Sequence, residues 1–251
     1  MSAMLLVLDL GNSRFKWALT DGRAWTPGAA YPYGPDFAAA LVAALGGVAP
    51  PQAAAFVSVT TPERMTRLEQ WLKARWGIEA RRLSASTSAL GVTNGYAQPE
   101  RLGADRWAAL VAARAQRAGA VCVVDAGTAV TVDALDAGGA FRGGVILPGL
   151  ALQRAALQHG TESAGVAPSA TGSCLARDTA AAVAGGTLYG LAGAVDRILD
   201  EQAQALGASP AVLVTGGDGA RMVPLLRHAA EPVPDLVLRG VARLSGAEVA
   251  V

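Results

Sequence analysis

Two short Asp-x-Gly segments have the residue types and spacing that suit ligand chemistry. Residues 9–13 (DLGNS) end one apolar run, and residues 125–128 (DAGT) end another. Backbone N–H groups and hydroxyls at a glycine turn suit phosphate oxygens, and a neighbouring carboxylate suits a cation bound to those phosphates. We expect Gly11 and Gly127 to adopt positive φ and bring the backbone close to the ligand. One such segment alone would be an ordinary turn, but two in equivalent places predict a polyphosphate site.

The basic residues narrow the kind of phosphate site that the chain could build. Its two lysines are Lys16 and Lys73, and neither follows a G-x-x-x-x-G-K-[ST] run. No G-x-G-x-x-G segment follows a predicted strand either. The phosphate contacts would therefore come from turn backbone, hydroxyls and carboxylate-held cations. Lys16 lies just after the first Asp-x-Gly turn and belongs to this candidate site.

A second group of polar residues occupies residues 94–107 (NGYAQPERLGADRW). Gly103 precedes an Ala-rich segment, so Asp105 and Arg106 fall in the first turn of a predicted helix. Asp105 could accept a proton from a substrate hydroxyl, and the planar guanidinium of Arg106 could hold a carboxylate or a phosphate. The structural alternatives are a contact between Asp105 and the helix dipole and a surface ion pair.

A third segment, residues 212–218 (VLVTGGD), predicts a strand that enters a turn at Gly216 and Gly217. A glycine pair lets a flat ring lie against the backbone, so this turn is a candidate adenosine contact. A plain turn is the alternative.

Composition sets the class of protein. The chain has 251 residues, 52% of them hydrophobic, and a net charge of +1, which excludes a disordered chain and argues against a non-specific nucleic-acid binder. The two cysteines, Cys122 and Cys174, define no disulfide framework. No signal peptide or membrane span is recognisable, so we expect a cytoplasmic protein with no membrane partner.

The elements that must position these residues repeat along the chain. Apolar runs and turn signals predict strands over 4–10, 14–20, 24–31, 53–59 and 78–83, with helices over 36–45, 62–76 and 103–117. The second half predicts strands over 120–125, 129–135, 141–147, 211–215 and 236–239, with helices to about 159, over 177–206 and over 220–228. Loops are predicted over 84–102 and 161–173. Each half opens with strand, Asp-x-Gly turn, strand, turn and strand, which predicts two similar α/β lobes, 1–118 and 119–251.

Together these segments resemble the type III pantothenate kinases of the acetate/sugar kinase, Hsp70 and actin superfamily. The resemblance rests on DLGNSRFKW (9–17), NGYAQPERLGADRW (94–107), DAGTAVTVD (125–133), GGVILPG (143–149), RDTAAAVAGG (177–186) and VTGGD (214–218). It implies two ribonuclease-H-like lobes, each a mixed sheet with flanking helices, and ATP in a cleft between them. It also implies a homodimer that transfers the γ-phosphoryl of ATP to pantothenate, with Mg²⁺ and a monovalent cation, K⁺ or NH₄⁺.

The resemblance also implies roles for individual residues. Asp105 looks like the general base, and the residues of the first loop look like ATP contacts: Asp9, Leu10, Gly11, Asn12, Ser13, Arg14, Phe15 and Lys16. Asp9 is a possible Mg²⁺ ligand, Asp125 resembles the ligand of the monovalent cation, and ATP would further contact Gly127, Thr128, Gly216 and Gly217. The pantothenate pocket would use Tyr96, Gly103, Ala104, Asp105, Arg106 and Thr179. Ser13 replaces the family's more usual Thr and keeps the hydroxyl.

Two other readings of these residues remain open. A kinase or phosphatase of the same superfamily with another small-molecule substrate would share both Asp-x-Gly loops, so only residues 94–106 discriminate. A regulatory binding protein without catalysis is the other class. The chain shows no helix-turn-helix pattern or basic patch for nucleic acid, and Asp9, Asp105 and Asp125 are all present, which favours the enzyme.

Overall fold

The computed structural model describes residues 4–160 and 172–247 of the chain. The chain divides into two compact units. The first unit comprises Met1–Ala118, Gly139–Phe141 and Asp235–Val251, and the second comprises Gly119–Gly138 and Arg142–Pro234. Most of the predicted loop over 161–173 lies outside the described residues.

The strands follow the chain in two groups. The first group is β1 (Leu5–Leu10), β2 (Arg14–Thr20), β3 (Trp25–Pro27), β4 (Tyr31–Pro32), β5 (Ala53–Ser58), β6 (Ala80–Arg82), β7 (Ser88–Ala89) and β8 (Val92–Thr93). The second is β9 (Val121–Ala126), β10 (Ala129–Leu135), β11 (Phe141–Pro148), β12 (Ala211–Thr215) and β13 (Ala230–Pro232).

The helices are α1 (Phe37–Leu45), α2 (Pro62–Trp76), α3 (Ala104–Gln116), α4 (Leu150–Gly160), α5 (Thr179–Leu206), α6 (Gly219–Met222) and α7 (Leu236–Leu244). Short 3₁₀ helices occupy Pro99–Arg101 and Val223–Leu225. In the part of the chain that the structure describes, no helix is both long enough and apolar enough to cross a membrane.

The two main sheets have the same plan. In the first unit the strand order is β3-β2-β1-β5-β6, with β4 also paired to β2, and in the second it is β11-β10-β9-β12-β13. The opening strand of each sheet, β1 or β9, pairs antiparallel with the next strand and parallel with β5 or β12. The predicted α/β fold class, with two mixed sheets that open alike, is confirmed.

Apolar side chains on the flanking elements build the core of each unit. In α2, Pro62 occupies the first turn and Gly77 ends the helix with φ +70, while Met65, Leu68 and Leu72 pack against the sheet residues of the first unit. In the second unit, buried residues of β9, β10 and β12 pack against the buried face of α5. The packing of each sheet therefore fixes the position of the aspartate near the end of its opening strand.

The C-terminal segment differs from its prediction. Residues 236–239 were expected to form a strand, but they begin α7, and this helix belongs to the first unit rather than to the lobe predicted over 119–251. A short apolar run has no period that separates strand from helix, and here the buried positions surround most of the helix. Packing decided the outcome: a Cβ on Gly240 would lie 1.9 Å from the carbonyl oxygen of Ala108, so α7 and α3 are in close contact.

Other strands and helices have bounds that differ from the predicted ones, because turns interrupt the segments over which they were expected. The strand expected over 24–31 is split into β3 and β4, and only Ala80–Arg82 of the strand expected over 78–83 pairs with a neighbour. The loop over 84–102 contains the β7–β8 hairpin, whose turn residues Leu90 and Gly91 both have positive φ. The helix expected over 220–228 shortens to α6 and a 3₁₀ turn that contains Pro224.

Candidate active site

The first Asp-x-Gly turn joins β1 to β2. Asp9 and Lys16 are directly paired across the two strands, and the Asp9 side chain is buried. Asn12 and Ser13 form the exposed tip of the turn. The turn therefore places a carboxylate, an ammonium group and two small polar residues on the end of one antiparallel pair.

The glycines of both Asp-x-Gly turns act differently from the prediction. Neither Gly11 nor Gly127 is among the residues with positive φ, so the expected left-handed conformation is wrong at both positions. Each glycine N–H is used inside its own turn, to the carbonyl oxygen of Arg14 and of Ala129 respectively, at 3.1 Å in both cases. A Cβ on Gly11 would lie 3.1 Å from that same Arg14 oxygen, so glycine provides room for a tight turn.

In the second unit the Asp125 turn packs against the Gly216 turn. Asp125 is paired with Thr215 of the parallel strand β12, and Gly216 follows with φ +90. A Cβ on Gly216 would lie 2.5 Å from Oδ1 of Asp125 and 2.4 Å from the carbonyl oxygen of Ala126. The Asp218 N–H donates to that Ala126 oxygen at 2.9 Å. The second Asp-x-Gly turn and the predicted adenosine contact at Gly216 therefore lie together.

Gly149 also contacts the second turn, a role that the sequence analysis did not assign. The Gly149 N–H donates to the carbonyl oxygen of Thr128 at 3.0 Å, and a Cβ there would lie 2.2 Å from the carbonyl oxygen of Gly127. Only glycine fits this contact. In the sequence, Gly149 was noted only as the last residue of the segment GGVILPG (143–149).

Asp105 lies in the first turn of α3, as predicted. Its Oδ1 accepts the N–H of Arg106 at 2.7 Å, and a Cβ on Gly103 would lie 2.6 Å from the same oxygen. Burial raises the pKa of Asp105, while the Arg106 N–H, the Arg106 guanidinium and the Lys16 ammonium act against that rise. The charge of Lys16 thus couples the first turn to Asp105.

Arg106 is buried against aromatic side chains. Its Nη1 donates to Oη of Tyr96 at 2.9 Å, and its guanidinium carbon lies 5.6 Å from the Tyr96 ring centroid and 5.8 Å from that of Phe141. The two rings are stacked, with their centroids 5.8 Å apart. The structure thus brings Tyr96, Asp105 and Arg106 together, and it adds Phe141, which no sequence motif indicated.

Asn94 holds the loop that carries Tyr96. Its buried side chain donates from Nδ2 to the carbonyl oxygens of Ser86 and Pro99, at 3.1 and 3.0 Å. Its Oδ1 accepts the N–H of Tyr96 at 3.0 Å. A buried amide with these bonds satisfied fixes the loop, so Asn94 is a positioning residue for the Tyr96 side chain.

Thr179 lies in the second unit, whereas Tyr96 and Arg106 lie in the first. It is the exposed first residue of α5, next to the N-cap Asp178, whose carboxylate accepts the N–H of Ala181 at 2.8 Å. Thr179 and Asp178 line a cavity of about 1150 Å³ with residues of α4, among them Leu152 and Gln153. The role of Thr179 as a pantothenate contact stays a prediction.

The carboxylates suit a cation that keeps other ligands. Within residues 4–160 and 172–247, no group of three or more His, Cys, Asp or Glu side chains could hold a metal ion. Mg²⁺ in nucleotide sites is typically bound by one or two carboxylates together with phosphates and water. Asp9 and Asp125, each at the end of a strand beside a polar turn, fit that mode of binding.

Solved structures of other proteins share the fold of this chain. Over 97% of both chains, the protein superposes with a TM-score of 0.56 at 15% identity on a structure from Sinorhizobium meliloti described as a 2-dehydro-3-deoxygalactonokinase. It matches an archaeal actin homologue, Ta0583, with a TM-score of 0.52 at 14% identity, over 97% of this chain and 99% of the other. A Campylobacter jejuni structure described as a Baf family transcriptional activator gives 0.59 at 20% identity, over 96% and 98%. The fold is that of the actin and sugar kinase ATPases.

Sequence comparisons identify the family of the chain within that fold. The profile of the family described as type III pantothenate kinase matches residues 5–201. A type III pantothenate kinase of Halorhodospira halophila is 41% identical over 96% of this chain and 98% of its own length. One from Nitrosococcus oceani is 39% identical over 96% of this chain and 94% of its own length. The chain belongs to the type III pantothenate kinase family.

Proposed function

We propose that the protein transfers the γ-phosphoryl group of ATP to the primary hydroxyl of pantothenate, the first step of coenzyme A synthesis, with Asp105 as the general base. One observation carries the assignment of the base: the Asp105 carboxylate is held in the first turn of α3, where its Oδ1 accepts the N–H of Arg106 at 2.7 Å and burial raises its pKa. Gly103 leaves room for this carboxylate, because a Cβ there would lie 2.6 Å from the same oxygen. Asp105 accepts the hydroxyl proton as the oxygen attacks phosphorus, and ADP leaves.

Arg106 is the proposed partner of the pantothenate carboxylate. Tyr96 already occupies one guanidinium nitrogen, and the stacked rings of Tyr96 and Phe141 restrict where the side chain can move. A buried guanidinium that is held in this way binds an anion without a large loss of side-chain freedom. Gly103 and Ala104, close to Arg106 in the chain, are further proposed pantothenate contacts, and Thr179 of the second unit is a separate proposed contact.

The two Asp-x-Gly turns are the proposed phosphate contacts. Residues 9–16 would supply backbone N–H groups, the Ser13 hydroxyl and the Lys16 ammonium. In the second turn Thr128 would supply its hydroxyl, and Gly127 would contact the phosphates without its N–H, which donates to Ala129. Mg²⁺ bound through Asp9 and the phosphates would neutralise the charge that develops during transfer. Gly216 and Gly217 would contact the adenosine, since the Gly216 turn packs against the Asp125 turn.

A monovalent cation at Asp125, K⁺ or NH₄⁺, is part of the same proposal. The Asp125 carboxylate lies beside the Gly216 turn, because a Cβ on Gly216 would lie 2.5 Å from its Oδ1. We expect little activity in a buffer whose only monovalent cation is Na⁺. Equal initial rates in sodium-only and potassium buffers would contradict a cation site at Asp125.

A homodimer is the proposed assembly. Leu152 and Leu157 of α4 and Tyr189 of α5 are each more than 40% exposed, and these apolar side chains would be covered by a second copy of the chain. The cytoplasmic location and the absence of nucleic-acid and membrane partners stay predictions.

The test of the function is a coupled ADP-release assay with purified protein, ATP and pantothenate. Asp105→Asn keeps the side-chain shape and removes the proton acceptor, so we expect a normal fold and a loss of nearly all turnover. Wild-type-like turnover in that variant would overturn the general-base assignment. ADP release with N-acetylated sugars or polyphosphate but not with pantothenate would overturn the substrate.

A further inference from the structure

Two side chains outside the sequence motifs reach the backbone of the first turn. Tyr33 follows β4, and its Oη donates to the carbonyl oxygen of Gly11 at 2.7 Å. Arg64 lies in the first turn of α2, and its Nη1 donates to the carbonyl oxygen of Asn12 at 3.4 Å. Two consecutive carbonyl groups of the turn are thus held by side chains from elsewhere in the first unit.

Arg64 is itself fixed by two further contacts. Its Nη1 donates to Oγ1 of Thr60 at 2.8 Å, and its guanidinium carbon lies 3.9 Å from the centroid of the Tyr33 ring. A cation over an aromatic face at this distance is attracted to the ring, and the planar group stacks on it. The side chains of Tyr33 and Arg64 therefore form a stacked pair beside the turn.

Tyr33 is anchored in the core of the first unit. Its side chain is buried, and its ring centroid lies 5.1 Å from that of Phe37, edge to face, and 6.1 Å from that of Phe15. Burial and the charge of Asp9 raise the pKa of Tyr33. The hydroxyl therefore keeps its proton at neutral pH and donates to the carbonyl oxygen of Gly11.

Because each peptide is planar, these contacts also fix the directions of N–H groups in the turn. The carbonyl of Gly11 and the N–H of Asn12 belong to one planar trans peptide and point in opposite directions, as do the carbonyl of Asn12 and the N–H of Ser13. Fixing each carbonyl oxygen fixes the direction of the N–H across the bond. A donor on the carbonyl also polarises the peptide and strengthens the N–H as a donor.

We infer that Arg64 and Tyr33 are positioning residues that aim the N–H groups of Asn12 and Ser13 at the phosphates of ATP. The inference rests on the proposed function, which places the triphosphate at this turn. Donors that are already oriented need no reorganisation when the ligand binds, so their loss appears as weaker phosphate binding. The positive charge of Arg64 adds to the attraction for the triphosphate.

The experiment compares Arg64→Ala with Arg67→Ala. Arg67 lies on the same helix, three residues further, and its side chain is exposed, so its removal controls for the loss of one positive charge from α2. For Arg64→Ala we expect the KM for ATP to rise about tenfold, because a charge-assisted contact at a phosphate turn is lost. The KM for pantothenate stays within about twofold, and Arg67→Ala resembles wild type in both constants.

Tyr33→Phe provides the second variant, since it removes only the hydroxyl. We expect a smaller rise in the KM for ATP than Arg64→Ala causes. In the double variant with Arg64→Ala, the KM for ATP should rise by less than the product of the two single fold-changes, because both residues act on one turn. Arg64→Lys retains the charge without the planar fork and should restore only part of the ATP affinity. The inference is overturned if Arg64→Ala lowers the melting temperature while leaving the KM for ATP unchanged, or if both KM values rise equally.

Direct binding separates this inference from the proposed reaction. A non-hydrolysable ATP analogue and inorganic tripolyphosphate are titrated into wild type, Arg64→Ala and Arg67→Ala in the presence of Mg²⁺. Weaker binding of both compounds to Arg64→Ala alone supports the inference, whatever the phosphoryl acceptor is. Equal binding to all three proteins overturns it even if pantothenate is the substrate.

Discussion

Asp9 and Lys16 face each other directly across the antiparallel pair of β1 and β2, at the end of the sheet that carries the first turn. The pairing fixes a carboxylate and an ammonium group on neighbouring strands, and the ammonium charge also opposes the rise that burial causes in the pKa of Asp105. Asp105, which is distant in sequence from this hairpin pair, is thus coupled to it in the first unit. Lys16 is the member whose removal has two separable effects.

We expect Lys16→Met to reduce kcat/KM for ATP by about 100-fold, because a positive group aimed at the phosphates is removed. The same change should move the acidic limb of the pH–rate profile upward, since the Lys16 charge no longer lowers the pKa of Asp105. Steady-state kinetics between pH 5 and pH 9 measure both effects.

Lys73→Met is the matched control for this variant. Lys73 is the other lysine of the chain and forms an exposed ion pair with Glu79, with its Nζ 3.0 Å from Oε1. We expect kinetics close to those of wild type, because an exposed pair of this kind contributes little to stability. An acidic limb that stays at the same pH in Lys16→Met would argue against the coupling of Lys16 and Asp105.

The raised pKa of Asp105 predicts how the stability of the protein depends on pH. Its pKa is raised in the folded protein, so the folded state binds the proton more tightly than the unfolded chain does. Stability from this group is therefore greatest below its unfolded pKa and is lost as the pH rises through the folded pKa. Asp105→Asn lacks this loss, and we expect its melting temperature to equal or exceed that of wild type at neutral pH.

Differential scanning fluorimetry of wild type and Asp105→Asn across pH 4 to 8 measures the effect. The gap between the two melting temperatures should widen as the pH rises through the Asp105 titration and then remain constant. A variant that is less stable than wild type at neutral pH would show instead that the charged carboxylate stabilises the fold.

The contact between α7 and α3 predicts a stability effect without a catalytic cause. A Cβ on Gly240 would lie 1.9 Å from the carbonyl oxygen of Ala108 and 2.4 Å from the carbonyl carbon. Gly240→Ala forces the helices apart, and we expect a loss of about 2–3 kcal/mol in the free energy of unfolding. Gly193→Ala, on the exposed side of α5 where a Cβ meets no atom within 4 Å, should gain up to about 1 kcal/mol. Denaturant unfolding of both variants provides the comparison.

The proposed dimer is tested by substituting a charged residue for an exposed apolar residue of the α4 and α5 surface. Tyr189→Glu puts a carboxylate on a residue that is 41% exposed, and we expect the dimer to dissociate because burial of that charge is costly. Val42→Glu, at a 57% exposed position of α1 in the first unit, should leave the assembly intact. Sedimentation velocity reports both. Unchanged sedimentation of Tyr189→Glu would place the interface elsewhere.

Much of the fold could be predicted because the turn signals are local. The Asp-x-Gly segments and the apolar runs before them located β1, β2, β9 and β10, and the repeated order predicted two sheets of one plan. The strand expected over 236–239 is wrong, since its helical state depends on packing against α3, over 120 residues away in sequence.

The site was predictable to a similar extent. Asp105 and Arg106 lie where the helix-start signal put them, and Tyr96 contacts Arg106. Tyr33, Arg64 and Phe141 escaped notice because their contacts with the site exist only through the folded chain. The conformation of Gly11 and Gly127 was wrong because glycine can meet either of two needs, an unusual φ or a lack of space, and its presence in a sequence does not say which.

The return of α7 to the first unit has a consequence for how the protein is made. Helix α3, which carries Asp105, is packed on one side by a helix that leaves the ribosome last among the described elements. At the usual synthesis rate of about 5–20 residues per second, the first 118 residues wait roughly 6–25 s for that helix. During synthesis the second unit can therefore complete its core before the first, although it is encoded later.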